Sequence, residues 1–363
     1  MAKALEKSET ESAGSSEHGS LAGLRRELSA AGLGQPAAVK TYAKFFLLVA
    51  SSIVLLASIT RFDVAWWAQA PAVCLSGWLL TAAAMCAHDG AHGVTSDRPW
   101  VNSLLASLGF ALLGGLSVNY WKHKHNVLHH PFVNLARKDP DVQQSLLALS
   151  SRQHDEHGML LRWLQRHFQE IGFWLLGAPL VVIDLRLASL RYLLGEILRG
   201  RQVGENLVDL AWVAGHYLLW LVFPLALVSG KAVLLTYGIG TPLMGFFLTL
   251  IFAPAHMSYP LAQESHDPFL LQLSSTRDFR TNRFFSFTLV GLNRQIEHHL
   301  AQKLNHFDLE RAAPIVRDYC ARHGLPYHET GWLRALVDTS RQIGRGWSVE
   351  EVVIGSPAPG TER

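Results

Sequence analysis

The chain has 363 residues, with 32 Lys and Arg against 29 Asp and Glu. The resulting net charge of +3 is too small to point to nucleic acid. Hydrophobic residues make up 49% and charged residues 17%, the latter below the ~25% usual for soluble domains, so the composition points to a membrane protein with a substantial polar part. Three scattered cysteines, Cys74, Cys86 and Cys320, form neither a disulfide framework nor a zinc spacing.

Residues 1–20 hold Lys, Glu, Ser and Gly with almost no large apolar side chain, which predicts a disordered tail. No apolar run begins there, so no cleavable secretory signal is expected. A short amphipathic helix is expected over 21–33, stopped by Gly34-Gln35-Pro36. Spans are expected at about 45–60 and 64–87, with Lys44 snorkelling to lengthen the first. The tight link at 61–63 makes them a hairpin. A second hairpin is expected from 210–228 and 232–253, joined by Ser229-Gly230-Lys231. Between them, 101–118 is apolar but interrupted by Gly109, Gly114 and Gly115. The uncharged run 173–183 is shorter than the ~20 residues a span needs. From 308 to 341 the pattern is helical and soluble. Residues 344–363, rich in Gly, Pro, Ser and Thr, are expected to be a disordered tail.

Histidines gather in three sets. His88 and His92, and likewise His125 and His129, sit at i and i+4, on one helical face. His130 adjoins His129, and adjacent residues diverge by about 100° on a helix, so one segment can serve two ions. His298 and His299 form the third set. Imidazole is the side chain most used for iron, zinc or copper, and the count exceeds the ligands of a single zinc. All sets must meet on one side of the membrane, which makes 101–118 in-plane, re-entrant or broken. His256 falls just past the last span, level with them. Lone His216, inside a span, is expected to bond a neighbouring helix, and His123 to face the surface.

In this order the sets resemble the three boxes of the membrane fatty acid desaturase family: His88-Asp89-Gly90-Ala91-His92, His125-Asn126-Val127-Leu128-His129-His130 and Gln295-Ile296-Glu297-His298-His299. The Gln form of the last box is similar to the front-end, acyl-lipid and linoleoyl-type branches, not to the stearoyl type. The resemblance covers roughly residues 40–330. It implies a di-iron centre that uses O2, with His88, His92, His125, His129, His130, His256, His298 and His299 as metal ligands. Gln295 is a further candidate as ligand or supporting residue. Asp89, Glu297, Asn134 and Asp139 are candidates for orienting the ligands. Phe252 stands where the stearoyl branch has an asparagine.

The expected fold is all-α: a polytopic membrane protein with four transmembrane helices in two hairpins, in-plane or re-entrant helices, and a cytoplasmic helical cap from 88–206 and 254–343. The desaturase domain would run from 21 to 343. The resemblance implies an acyl substrate, carried as acyl-CoA, on acyl carrier protein or in a lipid, and electrons from NAD(P)H. No His-Pro-Gly-Gly haem motif occurs in this sequence, so the expected donor is a separate ferredoxin or cytochrome b5 with its reductase. Lys122, Lys124, Arg277 and Arg280 are candidates for its docking surface. Basic residues crowd the proposed inner segments, while the outer links carry Arg61 and Lys231. That asymmetry places both termini and all boxes in the cytoplasm of a cell whose inner membrane or endoplasmic reticulum holds the protein. Hydroxylases, acetylenases and carotenoid ketolases use similar boxes and are the alternative outcome. A metal transporter is disfavoured, because the spans carry almost no ionisable residue along a pathway.

Overall fold

Long apolar helices dominate the computed structural model, which describes residues 19–61, 65–143 and 146–355. Five are long and apolar enough to cross a membrane: Ala38–Ile59, Gln69–His92, Met159–Leu198, Val203–Ala226 and Gly230–His256. The protein is therefore an all-α, polytopic membrane protein. Among the described residues the strands are four short segments, paired in parallel as Ala262–Ser265 with Val352–Ile354 and Asp278–Arg280 with Glu329–Gly331.

The first two helices form a hairpin, stitched by Ser52 and Ser76, whose hydroxyls lie 2.5 Å apart among apolar side chains. A buried hydroxyl without a partner is costly, so each serine satisfies the other. The second helix continues to His92 and stops at Gly93, whose φ of 73° supplies the left-handed C-terminal turn.

The segments Pro99–Leu113 and Val118–Phe132 meet at a bend of 107°. A helix broken at membrane depth exposes backbone groups that lipid cannot satisfy. Here the neighbouring helices supply the partners. Gly114 O accepts from Arg186 Nε at 2.9 Å, and Leu112 O accepts from His216 Nδ1 at 3.0 Å and Trp220 Nε1 at 3.1 Å. On the far side of the bend, Asp209 accepts from the backbone N–H of Val118 and Asn119 and from the Ser117 hydroxyl. A carboxylate there also meets the positive end of the new helix. His216 thus bonds a neighbouring segment, and its Nε2 lies 2.8 Å from the Tyr237 hydroxyl.

Met159–Leu198 differs from the expectation. The uncharged run 173–183 is too short to span, but the helix extends through Arg166 on one side and Asp184 and Arg186 on the other. Interior charges ended the apolar window without ending the helix, because Arg186 is held by Gly114 O, the Tyr237 hydroxyl and Thr241. Among the described residues candidate spans thus number five, or six with the bent pair, against the four read from hydropathy.

At the N-terminus, Leu21–Ala30 packs Leu24 and Leu28 against Ile296, Leu300 and Val316. Within the tail expected from 344, the described residues carry secondary structure. Gly346–Ser348 forms a helical turn, and Val352–Ile354 is a strand whose register is fixed by Ala262. Residues 1–18 and 356–363 of the two expected tails lie outside the described residues.

Candidate metal centre

All eight histidines come together at one end of the helical bundle. His88, His92, His125 and His298 form one group and His129, His256 and His299 another, with potential ligand atoms in each group within 4.8 Å of one another. His130 lies between them, its ring centroid 4.6 Å from that of His298 and 4.4 Å from that of His299. His92 is partly exposed and the other seven are buried.

Local winding explains how one short segment supplies three of these rings. Lys122–His129 is a π-helix. In an α-helix, residues five apart point about 140° away from each other at 3.6 residues per turn. The wider i to i+5 winding returns them to one side, and His130 Nε2 comes within 3.1 Å of His125 Nε2. His129 is turned toward the second group, its ring 5.0 Å from that of His256.

Tautomers follow from the partners behind the rings. His129 Nδ1 lies 3.0 Å from Asp139 Oδ1, and His299 Nδ1 lies 2.8 Å from Gln272 Oε1. Both acceptors hold the proton on Nδ1 and free Nε2 to face the cluster. Asp139 is itself fixed by the backbone N–H groups of Asn134 and Asp141. Asp139 and Asp141 also approach His129 closely enough to suggest a third group. Asp141, whose Oδ2 lies 3.1 Å from His129 Nδ1, is also tied to Lys124, and against the cost of burial the charges of Lys124 and His129 hold its carboxyl down at about 2.

The donor set fits a metal. Ring nitrogens of His92, His130, His256, His298 and His299 are buried without a hydrogen-bond partner among the described residues, each such group costing about 1–3 kcal/mol if left so. His88 Nε2 and His125 Nε2 approach to 2.9 Å, a distance at which two bare lone pairs repel unless they share a proton or a cation. Burial first, and neighbouring histidines second, push His298 and His299 well below the usual histidine range. Neutral imidazole is the form that ligates.

The other candidates divide. Asn134, at φ 56°, donates its amide to His256 O at 2.8 Å and so holds the backbone of that histidine. Gln295 is buried, donates to Leu292 O, and lies beside His256. Asp89 and Glu297 do not reach the imidazoles of the cluster. Asp89 accepts from His306 Nδ1 at 2.7 Å and His306 N at 3.2 Å. Glu297 packs against Asp278 and Tyr327. The Tyr327 hydroxyl lies 3.0 Å from both Asp278 Oδ2 and Glu297 Oε1. One phenolic proton cannot serve both, and burial pushes both carboxyls above the usual carboxylate range. Asp278 further accepts from Ile296 N and pairs with Arg294, which locks the start of Gln295–Leu300. Gln272, Asp278 and Tyr327 carry no signal in the sequence. Of the cations suggested for docking, Lys124 is engaged by Asp141 and Arg277 by Asp338. Exposed His123 stacks on Tyr192, and Phe252 lies against Trp121.

Fold and site together define a polytopic membrane protein whose buried histidine groups fit a metal site. Comparison with known proteins gives the family. The profile described as "Fatty acid desaturase" matches residues 65–331, and the chain belongs to that family. It is 28% identical over 265 residues to "Fatty acid desaturase 3" of Homo sapiens and 29% identical over 266 residues to "Fatty acid desaturase 3" of Bos taurus. Each match covers 72% of this chain and 58% of the relative. It is 25% identical over 319 residues to "Fatty acid desaturase 2-like protein FADS2B" of Mus musculus, covering 84% of this chain and 62% of that one. The chain thus spans about three fifths of the length of these relatives.

Proposed function

We propose that the chain introduces a C=C double bond into an acyl chain, using two iron ions held by the eight histidines. The observation that carries this reading is the division of the rings into two adjacent groups, more than one ion can use. His88, His92, His125 and His298 would hold one ion and His129, His256 and His299 the other, with His130 between them. Bound iron would supply the activation of O2, which no amino-acid side chain can provide. The protein's part is to keep imidazoles such as those of His298 and His299 neutral, to fix His129 and His299 through Asp139 and Gln272, and to exclude bulk water. Gln295 is assigned a supporting place beside His256. Electrons would come from NAD(P)H through a ferredoxin or cytochrome b5.

Orientation belongs to the same proposal. Val203–Ala226 and Gly230–His256 form a hairpin that returns to the side it left, and His256 shares a cluster with His125 and His129. A full crossing by Met159–Leu198 would put them on opposite faces. Two points along the helix touch segments that lead to the cluster: Phe173 shares a core with Ala253, and Tyr192 stacks on His123. We therefore assign four crossings, an oblique Met159–Leu198, and a cytoplasmic histidine cluster.

Expression in a host with defined fatty acids, followed by mass analysis of the products, tests the activity. A new product two mass units lighter is expected, and it should vanish in His298→Ala while the protein still inserts. A gain of sixteen mass units would establish hydroxylation instead, and an active His298→Ala would overturn the site.

A further inference from the structure

Against the flank of helix Ala38–Arg61 lies an open cleft of about 420 Å³, with Lys44, Phe287, His306 and Phe307 in its walls and Arg283 and Glu310 at its exposed rim. Lys44, expected to snorkel, is folded inward with only 6% of its surface exposed. Its ammonium sits 4.5 Å from the Phe287 ring centre and 5.4 Å from that of Phe307. Among the described residues it has no ion-pair partner. The nearby acids are engaged elsewhere: Asp89 by His306, and Glu310 by both nitrogens of a forked pair from Arg294 at 2.8 Å each. A cation removed from water is costly, and the Asp89 carboxylate, though bonded to His306, offsets part of that cost through space. Two aromatic faces offset a further part, and an incoming anion would offset the rest.

The cleft also has a definite position. His306 is bonded to Asp89, the neighbour of His88 in the histidine cluster. An anion held at Lys44 would thus stand next to the centre at which an acyl chain would react, with Arg283 at the mouth adding a second positive charge and the phenylalanines meeting apolar atoms.

We propose that this cleft receives the phosphate-bearing polar end of the acyl substrate, with Lys44 as its anchor and Arg283 as its outer contact. The proposal rests on the acyl-chain reading above and narrows it to substrates joined to a phosphoryl group. A phospholipid and a coenzyme A thioester share that chemistry.

The test is equilibrium binding to the full chain in micelles, using oleoyl-coenzyme A, 1-oleoyl-lysophosphatidylglycerol and uncharged monoolein. Lys44→Met should weaken binding of the phosphorylated probe or probes by about tenfold or more, the loss expected for one buried charged hydrogen bond. Monoolein binding should not change, and Lys44→Arg should restore most of the affinity. Whichever phosphorylated probe binds the wild type more tightly identifies the carrier. Equal affinity of wild type and Lys44→Met for both phosphorylated probes, or an equal loss for monoolein, overturns the proposal. Repeating the titrations in His298→Ala separates the two readings. Charge-dependent binding by a wild type that forms no double bond would sink the activity and leave the cleft, whereas desaturation with an unchanged KM in Lys44→Met would do the reverse.

Discussion

The Nδ1–H groups of His129 and His299 point away from the cluster into Asp139 and Gln272, and Gln272 also donates to His130 O at 2.7 Å. One amide therefore ties the second box to the third. Gln272→Leu keeps the volume and removes both bonds, and loss of such an outer partner typically costs 10–100-fold in metal affinity. Iron retention under graded chelator should fall by about that factor, and unchanged retention would show that packing alone orients His299. A second consequence concerns acid. The folded chain holds His298 and His299 well below their ordinary range, while the unfolded chain titrates them near ~6.5. Above that pH neither state binds the protons and stability is flat. Below it the unfolded state binds more, so stability falls as pH falls. Thermal unfolding of metal-free protein should show a melting temperature level from pH 8 to 7 and declining toward pH 5. A level profile throughout would mean that these rings take up protons in the folded state. The histidines were legible because their type and spacing stand out. Gln272, Asp278 and Tyr327 were not, since a hydrogen bond between residues 27 or more apart leaves no periodicity in the chain.

At the scale of elements, the histidine cluster depends on helices that approach closely and on one that breaks. Gly245 is where Gly230–His256 meets Met159–Leu198: a Cβ there would stand 2.5 Å from Pro179 O and 2.8 Å from Ala178 O. Backbone cannot yield as a side chain does, so Gly245→Leu must part the helices. Such overpacking costs about 1–3 kcal/mol. A lower melting temperature and weakened product formation are expected, because the same helix ends in His256, and wild-type values for both would refute the close approach. At Gly115, φ 71° and the nearness of Arg186 and His216 make the bend a second place where only glycine fits. Hydropathy and glycine content made the interrupted 101–118 segment legible. The run of Met159–Leu198 was hidden, because its interior charges find partners on other helices that no window along the sequence contains.

For the whole molecule, the convergence of His88, His125, His256 and His298 restricts how the chain crosses the bilayer. Every connection between these residues must return to the same face. In the proposed orientation that face, with its excess of Lys and Arg, is the cytoplasmic one, and the link at Ser229-Gly230-Lys231 then belongs to the opposite one. Lys231 and Lys303 are exposed, and the proposed four crossings put them on opposite faces. Cys86 and Cys320 are buried, so removing exposed Cys74 leaves a quiet background for labelling. In that background, Lys231→Cys should react with a membrane-impermeant maleimide in intact cells, and Lys303→Cys only after the membrane is opened. The reverse pattern would invert the protein. Reaction of both in intact cells would mean an even number of crossings between them or none, and would sink the four-crossing arrangement, because Gly230–His256 could then no longer carry His256 from the face of Lys231 to that of His298.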